Sequence, residues 1–326
     1  MNGKPLAAMT GGSRGTRQRG VSLIELMIAM AIGLIMILAV TRVYLANGEG
    51  IREAEARAAL SDKTRFLYER FNYELRRADF WGRVPADAER LGTVSVDGDC
   101  SGEFAFGRDD DAPATRPLGI WASKTQPSDC SLTEPLSGQE FLAVRYAAEP
   151  CGTGGCGDGP AIKSFYPYIR FYNGNGSEPE QPVGADGVDD IWHYGGSLYY
   201  LSREDDDDSP ALRRLLLNHS GSWTNQEVLQ GIEGLTYHWF VDSDGDDSQD
   251  EVLTTDQLAT ELMPANMGEV IAVKVEAVLS VKTQASYREG SYTLSDGSVV
   301  GGAPGRMYRK ITFVVPLAMH DSGGGE

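Results

Sequence analysis

Twenty successive residues near the N-terminus are almost entirely apolar. The stretch runs from Val21 to Val40, with the sequence VSLIELMIAMAIGLIMILAV, and Glu25 is its only charged residue. A helix of about 20 apolar residues, rising about 1.5 Å per residue, crosses the hydrocarbon core of a bilayer. We therefore predict a membrane-spanning helix over residues 21–46.

The pattern then becomes amphipathic, which predicts a continuation of the helix over residues 47–80. Apolar residues recur at steps of seven, four, four and three, which places them on one helical face, and charged residues fall mostly outside this stripe. The stripe comprises Leu60, Leu67, Phe71, Leu75 and Ala78. Gly48 and Gly50 indicate either a bend with local unwinding or a simple flexible stretch. We expect Gly82 and Pro85 to end the helix.

Residues 81–326 show short apolar runs separated by clusters of Gly, Pro, Asp and Ser, which is typical of a β-rich domain. Two runs, 271–281 and 311–317, alternate apolar and polar residues and are predicted to be adjacent antiparallel strands. The other predicted strands are 141–147, 162–172, 198–201 and 235–241. The predicted fold class is therefore α+β: a long N-terminal helix packed on a C-terminal antiparallel β-sheet domain.

Charge is distributed unevenly along the chain. The formal net charge is −18, but residues 1–20 contribute +4, so the remainder carries −22. A polyanion repels nucleic-acid phosphates, so direct nucleic-acid binding is not expected. The basic flank is expected to stay in the cytoplasm by the positive-inside rule, which places the β-rich domain on the other side of the membrane.

All four cysteines lie between residues 100 and 156. An even, clustered set in an exported domain predicts two disulfides, and of the three pairings we favour Cys100–Cys130 and Cys151–Cys156. The glycine-rich segment between Cys151 and Cys156 is flexible enough to close a small loop. A zinc site is the rival interpretation, but no CxxC pair is present and the first histidine is His193.

Acidic residues at steps of two form a candidate calcium loop. Asp242, Asp244, Asp246 and Asp250 occupy positions 1, 3, 5 and 9 of such a loop, in which carboxylates surround one cation. Position 12 is Leu253 instead of glutamate, so an acidic β-turn without metal is the alternative.

Catalytic motifs are missing from the sequence. It contains no GxSxG, HExxH or P-loop, and the four histidines are scattered. The chain is therefore predicted not to be an enzyme, with a membrane-anchored extracytoplasmic enzyme as a remote alternative.

Glu25 distinguishes this N-terminus from an ordinary signal peptide or signal anchor. An unpaired carboxylate in hydrocarbon is costly, so it needs a positive partner. Cleavage after Gly20 would supply one, because the new α-amino group of Val21 lies about one helical turn from Glu25. In a helical assembly this amine can come from the neighbouring subunit. A cleaved signal peptide is less suitable, because Ala29-Met30-Ala31 lies in the middle of the apolar core.

Gly20 followed by VSLIELMIAMAIG resembles the class III signal of type IV pilins and type II secretion pseudopilins. The resemblance implies a leader of residues 1–20, cleavage after Gly20 by prepilin peptidase and N-methylation of Val21, where phenylalanine is usual. It also implies that Glu25 sets the register of assembly. Translation from Met9 would give a shorter leader.

The C-terminal segments VLQGIEGLTYHWFVDSDGDD, GEVIAVKVEAVLSV and YRKITFVVPLAM resemble PilW-type minor pilins. We recognise no resemblance in residues 100–230, which are predicted to be a loop-rich insertion that carries the disulfides. The resemblance implies a pilin-like fold and a structural role in a tip or priming complex of a type IV pilus. It implies prepilin peptidase, other minor pilins, the major pilin and a tip adhesin as partners. The protein would sit in the bacterial inner membrane, then in the fibre. A J-type minor pseudopilin of type II secretion is the alternative.

Overall fold

The computed structural model describes residues 20–84, 88–109, 119–152, 155–174, 179–184, 186–204, 209–244, 246, 248–261, 270–283 and 290–317, and for residues 46, 186–189 and 259–261 the backbone alone. The predicted leader, except Gly20, and Pro85 lie outside this set. The chain forms two compact units, Met1–Ile51 and Arg52–Glu326, which are described separately.

The described part of the first unit is helical. Helix α1 spans Leu23–Arg76, and its residues up to Ile51 belong to this unit. The large apolar side chains between Leu23 and Leu45 are all exposed. The helix continues without a break through Gly48 and Gly50, so the local unwinding expected there is not observed. The cost of about 1 kcal/mol per glycine is small beside the hydrogen bonds of a 54-residue helix.

The remainder of α1 packs on the second unit through the predicted stripe. All five stripe residues are at most 2% exposed, which confirms the periodicity. The Phe71 ring centroid lies 5.6 Å from that of Tyr199, 6.0 Å from that of Tyr237 and 6.4 Å from that of Phe313. Helix α1 ends a few residues before the predicted position 80, because Asp79 adopts the left-handed conformation with φ 59°.

The larger sheet has eight strands. They are β1 Glu89–Gly92, β2 Ile120–Ser123, β3 Phe141–Pro150, β4 Pro160–Tyr166, β5 Tyr168–Asn173, β6 Asp186–Ser202, β7 Ala211–Leu217 and β8 Trp223–Gln230. The order is β1-β5-β4-β6-β3-β2, with β7 paired to β6 and β8 to β7. All pairs are antiparallel except β1 with β5. Strand β6 pairs β4 through its first part and β7 through its second part.

The second sheet has four antiparallel strands in the order β10-β9-β11-β14. They are β9 Ile232–Val241, β10 Glu251–Thr254, β11 Val270–Lys282 and β14 Arg306–Pro316. A short helix, α2 Thr255–Glu261, follows β10, and β12 Ser291–Thr293 and β13 Val299–Gly301 form a separate two-stranded sheet. The β11–β14 pair confirms the predicted adjacent strands, and its register places Val275 opposite Phe313.

The fold confirms the α+β class and corrects two details of it. Residues 100–230, predicted to be loop-rich, supply the seven strands β2–β8, because their short apolar runs are long enough to pair. The predicted single strand 162–172 is a hairpin of β4 and β5, because Pro167 cannot continue the ladder.

Candidate functional site

The N-terminal part of α1 places an acid at the start of an apolar helix. Glu25 lies in the first turn, and both it and Val21 are exposed within the described unit. An added Cβ at Gly20 would meet nothing within 4 Å, so the fold itself does not require glycine at this position. Any requirement for glycine at position 20 must therefore come from an interaction with another molecule.

One described helix is long and apolar enough to cross a membrane. Its most apolar 18-residue window has a mean hydropathy of 2.7, and none of that window is buried within the chain. Exposed apolar side chains of this extent are normally covered by a bilayer or by other helices.

The cysteines form two bonds in the second unit. Cys100 is bonded to Cys130 and Cys151 to Cys156, which is the pairing favoured from the sequence. The bonded sulfurs are not available as thiolate ligands, so the zinc alternative has no donors there.

The acidic loop after β9 brings together three of its four predicted ligands. One carboxylate oxygen from each of Asp242, Asp244 and Asp250 lies within 4.8 Å of the others. Asp242 is buried and the other two are exposed. Repulsion from Asp246 and Asp250 raises the pKa of Asp244. A cation bound among these carboxylates would relieve this repulsion.

Hydrogen bonds within the same loop support the metal-free alternative equally well. The Asp244 carboxylate accepts from the Asp246 backbone N–H at 3.2 Å, and the Asp246 carboxylate accepts from that of Ser248 at 2.8 Å. These are successive Asx turns, which order a loop without metal. Asp246 is not among the converging carboxylates. Calcium binding therefore stays a prediction.

The histidines do not assemble a catalytic group in the part of the chain that the structure describes. His193 and His219 stack with ring centroids 4.0 Å apart, and His238 is buried on β9 opposite Lys274. Burial and then His219 lower the pKa of His193. No hydrogen bond joins a described histidine to a hydroxyl or thiol, which is the contact that a nucleophile needs.

Sequence reasoning missed a cluster of arginines around one buried carboxylate. Arg70 of α1, Arg77 immediately after α1 and Arg214 of β7 each place a guanidinium nitrogen within 3.3 Å of a Glu74 carboxylate oxygen. The seven-residue spacing of Arg70 and Arg77 was the only available signal, and it is equally typical of a solvated helix face.

Two family models match opposite ends of the chain. Residues 198–318 match the family described as type IV pilus-assembly protein W, or PilW, and residues 15–41 match the prokaryotic N-terminal methylation motif. The first match contains β7 to β14, and the second contains Gly20, Val21 and Glu25.

No curated protein matches the chain. Among solved structures, a type IV-like pilin from Thermus thermophilus is similar, with 15% identity over 56% of this chain and 80% of that one, at a TM-score of 0.27. A similarity at this score has no weight for fold or function.

The PilW match does not favour the pseudopilin alternative. Together, the exposed apolar helix, the methylation motif and the PilW segment support identification of this chain as a PilW-type minor pilin of the type IV pilus.

Proposed function

We propose that this minor pilin joins a complex at the tip of the type IV pilus, primes assembly of the major pilin and supports display of a tip adhesin. The role is structural and not catalytic. One observation supports the proposal above all: an acid, Glu25, in the first turn of a helix whose large apolar side chains are exposed.

The proposed mechanism begins with cleavage after Gly20 by prepilin peptidase at the cytoplasmic face of the inner membrane. Cleavage produces a positive α-amino group on Val21, which is then methylated. Extraction from the bilayer exchanges lipid contacts for helix packing in the fibre. A neighbouring subunit's amine meets Glu25 and sets the register, because a buried carboxylate is stable only when it is paired.

The partners follow from this sequence of events. They are prepilin peptidase, other minor pilins, the major pilin and the tip adhesin. Before assembly the chain crosses the inner membrane once, with its N-terminus in the cytoplasm and the β-rich domain in the periplasm. Direct nucleic-acid binding is not expected of a chain with a net charge of −18.

Mass spectrometry of the N-terminus tests the first step. In cells with prepilin peptidase we expect the chain to begin at methylated Val21, and in cells without it the leader should remain. A mature N-terminus elsewhere would contradict the proposal.

A substitution at Glu25 tests the pairing step separately. Glu25→Ala should leave cleavage intact and lower the amount of subunit in sheared fibres at least tenfold. Glu49→Ala, which removes an exposed acid from the same helix, is the matched control and should incorporate normally. Normal piliation with Glu25→Ala would contradict charge pairing.

A further inference from the structure

Three arginines surround Glu74 where α1 packs beside β7. Arg77 Nη2 donates to both carboxylate oxygens at 2.9 Å, and Arg214 Nη1 donates to Oε1 at 3.3 Å. Arg70 Nη2 lies 2.9 Å from Oε1 but makes no hydrogen bond there. The Glu74 side chain is fully buried, whereas those of the arginines are 12–24% exposed.

The cluster holds more positive charge than Glu74 can balance. One carboxylate neutralises one guanidinium, which leaves two partly buried positive charges close together. Glu149 is the other acid beside them, and it is exposed. Within the described part of the chain, no ion pair joins Glu149 to any of the three arginines. Uncompensated charges at partly buried positions are costly, and such positions are often functional sites.

Neighbouring tyrosines do not remove the surplus. Arg70 Nε donates to the Tyr199 hydroxyl at 2.9 Å, and Arg77 donates to that of Tyr146. Burial and the nearby Glu74 raise the pKa of both phenols, so both remain neutral at physiological pH. They orient the guanidinium groups without balancing their charge.

An open groove gives access to this cluster. Its lining includes the three arginines together with Tyr73, Tyr146 and His219. The Arg77 guanidinium carbon lies 3.7 Å from the Tyr146 ring centroid and 4.4 Å from that of Tyr73. Stacking on these two rings, with hydrogen bonds to Tyr73 and Glu74, holds Arg77 in place at the groove, where it contributes positive charge.

We propose that this groove binds a carboxylate group, which supplies the missing negative charge. Carboxylate fits the planar fork of arginine, and Arg70 keeps a donor, Nη2, without a hydrogen-bond partner. Arg214 contributes positive charge beside it, since its own nitrogens already face Glu74 and Gln226. The carboxylate comes either from an acidic side chain of a protein partner or from a small free acid. The inference does not depend on the pilus role, because every residue in it belongs to the second unit.

Binding is measured on the full-length chain in a neutral detergent at fixed ionic strength. The first probe is a fluorescein-labelled peptide of alternating Glu and Gly, followed by anisotropy, with glutarate and inorganic phosphate as competitors. We expect saturable peptide binding that glutarate displaces better than phosphate. Displacement by glutarate indicates that a free acid suffices, whereas peptide binding that glutarate does not displace indicates a protein source.

Paired variants locate the site. Arg214→Gln should weaken peptide binding about tenfold, because it removes one of the surplus positive charges that attract the carboxylate. Arg213→Gln is the control: it removes the same charge from the adjacent position of β7, where Arg213 instead pairs with Glu204. It should change affinity less than twofold. The basic leader residues are common to all variants, so a difference between variants reports the groove.

A second variant tests the same groove from α1, and three outcomes would contradict the proposal. Arg70→Gln should also weaken binding about tenfold, and circular dichroism shows whether each variant remains folded. Absence of saturable binding by peptide and glutarate would overturn the proposal. Equal losses with Arg213→Gln and Arg214→Gln, or tighter binding of phosphate than of both carboxylates, would overturn it as well.

Discussion

The two parts of α1 contain similar apolar residues but find their partners differently. Leu34 in the first unit is 61% exposed, whereas Leu67 in the second is fully buried. Burying a leucine side chain contributes about 1.5–3 kcal/mol. In the second unit that energy comes from the chain's own strands. In the first it has to come from lipid or from other helices, so one helix serves both folding and assembly.

The largest expected effect tests this contrast with one substitution at two sites. Leu67→Ala should lower the free energy of unfolding of the β-rich unit by about 2–5 kcal/mol, because it leaves a cavity in the core. Leu34→Ala should change it by less than about 0.5 kcal/mol but reduce recovery of the subunit in sheared fibres. Urea unfolding followed by tryptophan fluorescence measures the first effect. Equal losses at both sites would remove the distinction between the two parts.

Removing each disulfide tests how much that bond contributes to the free energy of unfolding of the second unit. Cys100–Cys130 spans 30 residues and Cys151–Cys156 spans five. By chain entropy, removing the first as a double serine variant should cost about 3–4 kcal/mol and removing the second about 2 kcal/mol. Calorimetry of the two variants compares them directly. A greater loss from the shorter loop would contradict the entropic explanation.

Protonation of Glu140 gives a smaller effect that is specific to the folded unit. Burial raises its pKa above the ordinary 4.5, although Thr255, Thr236 and the Tyr237 N–H donate to it. The folded state therefore binds the proton more tightly, and stability falls as pH rises from about 4.5 through the folded pKa.

Glu140→Gln should remove this part of the pH dependence while keeping an oxygen for the Tyr237 N–H. Urea unfolding at pH 4.5 to 8 measures the slope, and Glu227→Gln, at an exposed position of β8, is the control. A slope unchanged in Glu140→Gln would show that burial of this acid does not control the pH response.

Calcium is expected to have the smallest effect, again confined to the second unit. At ten times its Kd, a bound ion adds about 1.4 kcal/mol, which raises Tm by a few degrees. Asp250→Asn should abolish the shift, whereas Asp256→Asn, on α2, should retain it. No shift with millimolar calcium would favour the metal-free Asx turns.

The elements that the sequence predicted correctly are those whose apolar residues recur at the period of a helix or a strand. The stripe from Leu60 to Ala78 and the strands 271–281 and 311–317 follow from spacing alone, because most apolar side chains at the period of each element pack in or against the core. The β4–β5 hairpin was missed because apolar residues continue on both sides of the turn, although Pro167 was a visible signal.

The arginine groove was beyond the reach of sequence patterns. Arg70 and Arg77 look like solvated charges on a helix, and Arg214 lies more than 130 residues further along the chain. Only the packing of α1 beside β7 brings them to Glu74. Spacing also does not show that Asp246, which has the right position for a calcium ligand, has its carboxylate hydrogen-bonded to the Ser248 backbone N–H.

The contact of Phe71 with Phe313 has a consequence for how the protein matures. Phe71 and Phe313 lie near opposite ends of the sequence of the second unit, and Phe313 belongs to β14, which pairs with β11. Contacts between residues so distant in sequence form slowly. The core is therefore incomplete until the segment 306–316 has been synthesised, and during that time the chain is exposed to proteolysis. A frameshift late in the coding region should therefore remove the whole protein and not only its last strand.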